Sequence, residues 1–309
     1  MKFDIVAGNP PYNNDDYIPF VEIGHNISNM YSTFITPAKW QAKGDKKNKA
    51  FRQNIIPYMS KIIYYPDTRD IFEDVGETGG ISYYLINKDK NSIISINTEI
   101  KNDKLRGEKR VNKIISLYNE NVDNIIKKCS SSKIMDNLSF NFAYFVKDRT
   151  WGYKNIHDTE LMVGEKRVGY IDKMSLNNQL DVDKYKIVTS ATYGFPFDKQ
   201  NMAVGTEKIN ILKPKQVPRN PSVVLKCFNT EQEALSMRSY IYSKLISFLF
   251  VVGVTGTSFV KEFWRFVPDP GTFDHIFTDE ELYKKYNLTP EEINIIESVI
   301  KERKQVNNI

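Results

Sequence analysis

The first twelve residues constrain this chain more than any later stretch. Phe3-Asp4-Ile5-Val6-Ala7 is a mostly apolar run of strand length that meets Gly8-Asn9-Pro10-Pro11-Tyr12 without a spacer. Proline lacks the N–H that a ladder needs and locks its own φ, so no strand continues through the pair. Residues 3–7 therefore read as a strand, and Asn9 to Tyr12 as its stiff exit. Helical and β-like segments then alternate. Residues 17–27 have helical spacing, with Phe20, Ile23, Gly24 and Ile27 on one face. Residues 31–36 form a strand closed by Pro37, 48–59 a helix interrupted near Pro57, and 61–65 a strand closed by Pro66. Two further β-rich runs cover 81–87 and 92–97. Strands alternating with helices predict an α/β sheet with crossover connections.

Beyond residue 108 the pattern changes. Residues 111–128 have helical period, with Ile114, Ile115, Tyr118, Val122, Ile125 and Ile126 apolar. The stretch 137–225 carries short β-like runs, many turn residues and much aromatic content, which predicts an α+β second domain. Residues 230–252 read as one strong helix with Leu235, Ile241, Leu245 and Phe248 available to pack. Thr278-Asp279-Glu280-Glu281 and Thr289-Pro290-Glu291-Glu292 are capping boxes that open two short helices, the second with proline at its first position. These changes divide the chain into 1–108 and 109–309.

Composition narrows the function classes. With 41% hydrophobic and 26% charged residues over 309 positions, the chain can build a core and is neither collagen-like nor disordered. A net charge of +5 is compatible with a polyanionic partner. Cys129 and Cys227 are too few for a disulfide framework, and no close Cys/His pairing suggests a metal site. The three histidines lie far apart, none beside a nucleophile. Asp4 stands where a signal peptide would be apolar, and the most apolar run, 246–252, is too short to span a bilayer. The expectation is a soluble cytoplasmic protein without a membrane partner.

Asn-Pro-Pro-Tyr after a strand fits one chemical problem. The exocyclic amine of a base is a poor nucleophile, because its lone pair is delocalised into the ring. A site that accepts hydrogen bonds from both N–H groups favours a pyramidal nitrogen with its lone pair exposed. Asn9 offers a side-chain carbonyl and Pro10 a backbone carbonyl, while Pro10 and Pro11 stiffen the turn so that both stay aimed. Tyr12 then stacks on the base.

The surrounding segments resemble the amino-group DNA methyltransferases, specifically the adenine-N6 enzymes of restriction–modification systems, including fused endonuclease–methyltransferases. After Phe3 to Tyr12, the matching segments come in the family's order: Tyr31 to Trp40, Phe51-Arg52, Asp67 to Phe72, and Gly79-Gly80-Ile81-Ser82-Tyr83-Tyr84. The stretches Phe263 to Pro268 and Phe277 to Tyr283 are also similar, but less specific. The resemblance covers residues 1–90 well and the last fifty loosely. It implies a partial Rossmann-like methyltransferase sheet followed by an α+β target recognition domain. It also implies methyl transfer from S-adenosylmethionine to adenine N6 of a base flipped out of double-stranded DNA, with Asn9, Pro10, Pro11 and Tyr12 as the catalytic motif. Flipping costs a few kcal/mol and stacking returns about 1–3 kcal/mol per base. Tyr83 or Tyr84 supplies the second stacking ring. Strand alternation sends the two to opposite faces, and the family motif favours Tyr84.

Two basic clusters are candidate phosphate contacts: Lys39, Lys43, Lys46, Lys47, Lys49 and Arg52, and then Lys101, Lys104, Arg106, Lys109, Arg110 and Lys113. The family's cofactor loop has no counterpart before Asn9. Val252-Gly253-Val254-Thr255-Gly256-Thr257 follows a helix rather than a strand and lacks an acid about 20 residues on, as a dinucleotide-type loop would have. A separate polypeptide supplying the S-adenosylmethionine-binding half is one expectation. A truncated product and a non-catalytic DNA-binding remnant are the alternatives. Related enzymes acting on RNA adenine or protein glutamine usually end soon after the catalytic half, and cytosine-N4 enzymes more often carry serine in place of Asn9. Pro66-Asp67 with Glu99-Ile100-Lys101 superficially fits a nuclease metal site.

Overall fold

A computed structural model of the chain describes residues 2–41, 46–74, 79–91, 93–100, 103–110, 119–130, 135, 141–142, 159–163, 165–173, 176, 182–190, 209–219, 222–253, 264 and 266–300. The chain divides into two compact units, the first built chiefly from Met1–Lys127.

The first unit is a six-stranded mixed sheet with helices between its early strands. In chain order it runs β1 (Phe3–Gly8), α1 (Tyr17–Ile27), β2 (Ser28–Pro37), α2 (Lys46–Ile55), β3 (Met59–Tyr65), β4 (Ile81–Asn87), β5 (Ile93–Ile100) and β6 (Asp103–Arg110). The spatial order is β1-β2-β4-β3-β5-β6. β1 and β2 are parallel, β4 is antiparallel to both β2 and β3, β5 is parallel to β3, and β6 turns back on β5. β1, β2, β3 and β5 therefore share one direction. Their carboxyl ends, with the amino end of β4, lie along one edge of the sheet.

The punctuation read from the prolines holds locally: β2 ends at Pro37, α2 gives way to a 3-10 turn at Ile56–Tyr58, and β3 ends before Pro66. Ile62, Tyr64, Ile86, Ile94 and Ile96 form the buried centre of the sheet. The face of α1 differs from expectation. Tyr17, Ile18, Val21 and Gly24 face inward, while Phe20 and Ile23 are exposed. The reason is Phe34 on β2: a Cβ at Gly24 would stand 2.4 Å from Phe34 Cζ, so the helix docks with its glycine over that ring.

β6 was not expected, and residue 108 lies inside it, so the sheet continues past that position. Only the later part of the helix read over 111–128 falls on described residues, and Asn119 stands outside it. A helix, α3, spans Glu120–Ser130, and 111–118 lie outside the described residues.

The second unit contains β7 (Asn141–Phe142), β8 (Thr159–Val163), β9 (Lys166–Ile171), β10 (Tyr185–Ser190), β11 (Asn210–Leu212), β12 (Gln216–Pro218) and β13 (Ser222–Phe228). They form an antiparallel sheet of order β11-β10-β13-β7 and a three-stranded sheet of order β12-β8-β9. The helix expected over 230–252 is two: α4 (Glu231–Tyr242) and α5 (Lys244–Gly253), bent by 62° at Ser243. Asp279 Oδ1 accepts from the Lys244 backbone N–H at 2.6 Å and so caps α5 separately. Thr230 and Glu233 form a complete capping box on α4. α6 (Asp279–Lys285) and α7 (Pro290–Val299) begin at Thr278 and Thr289, as the sequence predicts, but only Thr289 has the reciprocal box. The Glu281 carboxylate turns instead to His275 Nε2 at 2.9 Å. Among the described residues no single helix is long and apolar enough to cross a membrane.

Candidate active site at the carboxyl edge of the sheet

Strand direction gathers the sequence segments. Asn9 to Tyr12 leave β1, Ala38 to Gln41 leave β2, Pro66 to Asp70 leave β3, and Gly79-Gly80 enter β4, all at one edge. In open α/β sheets this carboxyl edge is where ligands are held.

The β1 exit is seated on a ring. A Cβ at Gly8 would lie 3.2 Å from Phe34 Cε1, so the backbone passes close above Phe34 just before Asn9. Asn9 and Pro11 are exposed, Pro10 is buried and Tyr12 is half-buried. Tyr12 then opens a 3-10 turn, Asn13–Asp15, closed by the Asp16 N–H donating to the Asn13 carbonyl at 2.8 Å. Asp15 ends it with φ at 63°, a left-handed conformation that Asp and Asn tolerate better than most side chains. Its buried carboxylate accepts from Asn48 Nδ2 at 3.2 Å and lies 3.9 Å from Lys39 Nζ. Asp15 thus ties the Asn9–Tyr12 turn to the β2 exit and to α2.

The second wall is aromatic. Tyr84 is 2% exposed, with ring centroids of Trp40 and Phe34 at 6.1 and 6.4 Å. Thr36 Oγ1 donates to its hydroxyl at 3.3 Å. Burial pushes the Tyr84 hydroxyl pKa well up; the Thr36 hydrogen bond opposes this and the nearby Tyr12 adds to it. Tyr12 follows β1 and Tyr84 lies on β4, so both tyrosines named from the sequence belong to this unit. Tyr84 is nonetheless a core ring in this conformation, and Tyr83 is the exposed one, at 37%. Tyr83 packs edge-on to Tyr65 at 6.3 Å. Burial, and then Glu99, raise the Tyr65 hydroxyl pKa.

Gly79 and Gly80 lock β4 to both neighbours. The Ala38 N–H donates to the Gly80 carbonyl at 2.9 Å, and Tyr64 Oη donates to the Gly79 carbonyl at 3.1 Å. Gly80 has φ at 73°, and a Cβ there would stand 2.2 Å from the Tyr65 carbonyl oxygen. Only glycine fits.

The basic residues separate by role. The Arg52 guanidinium donates to the Trp40 carbonyl, and Lys39 turns to Asp15. Lys46, Lys47 and Lys49 stand exposed on α2. Lys43 lies outside the described residues. Arg106, Lys109 and Arg110 are on β6, at the opposite sheet edge from β1. Five interstrand spacings place that edge about 24 Å from Asn9's strand.

The nuclease reading loses its acid. Asp67 caps the 3-10 turn Thr68–Asp70 by accepting from the Arg69 N–H, and both its oxygens accept from the Arg69 side chain at 2.8 Å. Among the described residues no group of three or more His, Cys, Asp or Glu is placed to hold a metal ion. Sequence reasoning missed Asp15, Thr36 and Asn48. The run Asn13-Asn14-Asp15-Asp16 was a usable signal, because such residues favour turns and left-handed backbone.

No family profile matches the chain, and no curated protein does. Among solved structures, the type IIG restriction endonuclease BpuSI is similar over 93% of this chain and 49% of its own, at 11% identity and a TM-score of 0.36. A protein described as the modification subunit of a putative type I restriction enzyme from Vibrio vulnificus is similar over 32% of this chain and 26% of its own, at 10% identity and a TM-score of 0.28. The chain thus spans about half the length of the first and a quarter of the second. Likeness at this level identifies no family.

Proposed function

We propose that the chain acts on DNA in a restriction–modification setting, presenting adenine N6 of a flipped base for methylation from S-adenosylmethionine. The observation that carries this is the exit of Asn9–Tyr12 at the carboxyl edge of an α/β sheet, seated on Phe34 beside the strand that holds Thr36 against Tyr84. Asn9 is exposed on a turn braced by Phe34 below and Asp15 behind, so its carbonyl and that of Pro10 keep their positions. The amine donates to both, and Tyr12 stacks on the ring. The exposed lysines of α2 supply phosphate contacts.

Among the described residues β1 pairs only with β2, and no glycine-rich strand exit lies beside Asn9. Val252-Gly253 close α5, and 254–257 lie outside the described residues. A separate polypeptide supplying the donor pocket is the reading we propose. The same observation favours a second reading, a DNA-binding subunit without catalysis.

Calorimetric titration of the chain with S-adenosylmethionine, with and without an adenine-containing duplex, separates the readings. Retained DNA affinity without donor binding is the expected result. Micromolar donor binding to the chain alone would overturn the assignment of the pocket elsewhere. If a donor-loaded assembly methylates the duplex, Asn9→Ala should lower the rate by about 100-fold, in the range of losing one preorganised polar group, and leave DNA affinity unchanged. An unchanged rate would refute the role of Asn9.

A further inference from the structure

The polar face of the small sheet β12-β8-β9 is organised around one guanidinium. The opposite face belongs to a core cluster of Leu161, Ile171 and Val217, packed with Leu176 and Val182. Across the strands Gln216 pairs with Glu160, Glu160 with Tyr170, and Met162 with Arg167. Arg167 lies beyond a register shift at Leu161–Met162 and reaches back over this row. Its Nη1 donates to Glu160 Oε1 at 2.9 Å, and its guanidinium lies over the Tyr170 ring, 5.1 Å from the centroid. Gln216 Nε2 donates to Glu160 Oε2 at 2.8 Å, and the Lys213 backbone N–H donates to Gln216 Oε1 at 3.0 Å.

An exposed ion pair between two long side chains is ordinarily worth little, because both must be ordered to form it. Here each member is held by a further group. Glu160 is fixed from its other oxygen by Gln216; that amide, and then Arg167, hold the carboxyl below its ordinary range, so it stays ionised. The Tyr170 ring supports the face of the guanidinium. The Arg167 side chain is still 54% exposed, and among the described residues its other N–H groups have no partner. A held fork with donors left over suits two acceptors side by side. Its surroundings are basic: Lys166 is exposed beside it, Lys213, Lys215 and Arg219 are exposed around β12, and residues 209–219 contain no acid.

We propose that Arg167 reads a guanine edge in the major groove of duplex DNA, with Glu160 and Tyr170 as its positioning residues. Guanine presents O6 and N7 there as adjacent acceptors, the pair that a guanidinium meets with two N–H groups. The groove, about 12 Å wide, admits a two-stranded ribbon such as β8–β9, whose tip residues Val163, Glu165 and Lys166 are exposed. The cations around β12 suit the flanking phosphates, which position a protein on the duplex but carry no sequence. A phosphate needs only a cation on a flexible stem, whereas a guanidinium held by Glu160 and Tyr170 has the fixed fork that a base edge requires. The inference rests on the DNA-binding part of the proposed function and is independent of methyl transfer.

The test is selection of duplexes from a random pool by the 309-residue chain, then Kd measurement on the selected sequence and its single-base variants. The wild type should enrich a motif with an essential guanine. Arg167→Ala should lose the preference for that guanine alone, by about 10-fold or more, and keep the rest of the motif and the circular dichroism spectrum. Glu160→Ala keeps the guanidinium but frees it, so it should relax the same position without weakening the binding of unselected DNA. The inference is overturned, and DNA binding left standing, by a wild type that binds DNA without a guanine in its motif. An Arg167→Ala chain that selects the same motif, binding all sequences equally or uniformly more weakly, overturns it too, as does a Glu160→Ala chain with full discrimination. A wild type without DNA affinity overturns the DNA-binding reading itself and this inference with it.

Discussion

Gly80→Ala is the most informative single change for the architecture of the site. Three terms act at that position. The φ of 73° is unfavourable to any side chain, by about 1–2 kcal/mol. The new Cβ would stand 2.2 Å from the Tyr65 carbonyl oxygen and 2.8 Å from Pro66 Cα, both backbone atoms, so relief requires the end of β3 to move. Overpacking of this kind costs about 1–3 kcal/mol. Moving either strand also strains the Ala38 N–H to Gly80 hydrogen bond, a buried bond worth about 1 kcal/mol. Together these give about 4 kcal/mol, a large part of the roughly 5–15 kcal/mol that holds a domain folded. Gly271→Ala is the control: its φ is 93°, but nothing lies within 4 Å of the added Cβ, so only the first term applies, about 1–2 kcal/mol. Because the two glycines belong to different units, hydrogen exchange should be read separately for β3–β4 amides and for those around α6. Equal losses of protection in the two variants would refute the close-approach argument, whatever their absolute size.

Two further outcomes rest on the placement of charges. Replacing Lys46 and Lys47 together with Gln should make the slope of log K against log salt for DNA binding less negative by about 1.8, near 0.9 for each phosphate no longer neutralised. Lys39→Gln should leave the slope unchanged, since that ammonium faces Asp15. An equal effect of all three substitutions would remove the distinction. In the second unit, Asp274 and Glu281 flank the two ring nitrogens of His275 and hold its pKa above the ordinary value of 6.5. A raised folded pKa means that the contribution to stability is complete below the unfolded value and is lost as pH rises through the folded one. Melting temperature measured from about pH 5 to pH 8 should therefore fall more in the wild type than in His275→Gln. Parallel profiles would show that the histidine gains nothing from its neighbours.

What could be read from the sequence was what the chain decides locally. Pro10, Pro37 and Pro66 stop strands wherever they occur, and Thr289 caps a helix without help from distant residues. Pairing was not local. Nothing in Ile81 to Asn87 says that this strand inserts antiparallel between β2 and β3, yet that insertion brings Gly80 against Tyr65 and Tyr84 under Thr36. Alternation correctly put Tyr83 and Tyr84 on opposite faces, but which face is the core depends on Trp40 and Phe34, which arrive from elsewhere. β6 escaped notice because Asp103-Lys104-Leu105-Arg106-Gly107-Glu108-Lys109-Arg110 reads as a charged loop. Charged residues are also how a sheet protects a free edge, and β6 is one.

The two edges of the same sheet make that contrast useful. β6 has an edge strand's sequence in an edge position, so its local chemistry and its place agree. β1 has an interior strand's sequence in an edge position, and α1 has apolar side chains on more sides than the fold covers. Helical spacing grouped Gly24 with Phe20, Ile23 and Ile27; in the fold Gly24 sits over Phe34 and is buried instead with Tyr17, Ile18 and Val21. The stripe left over, Phe20 and Ile23 at 53% and 56% exposed, lies on the helix that follows the edge strand β1. Local preference and tertiary placement agree in most of a natural fold, and where they part the cause is usually a functional surface. In this chain they part at the strand that ends in Asn9, so the exposed apolar edge and the candidate site share a backbone.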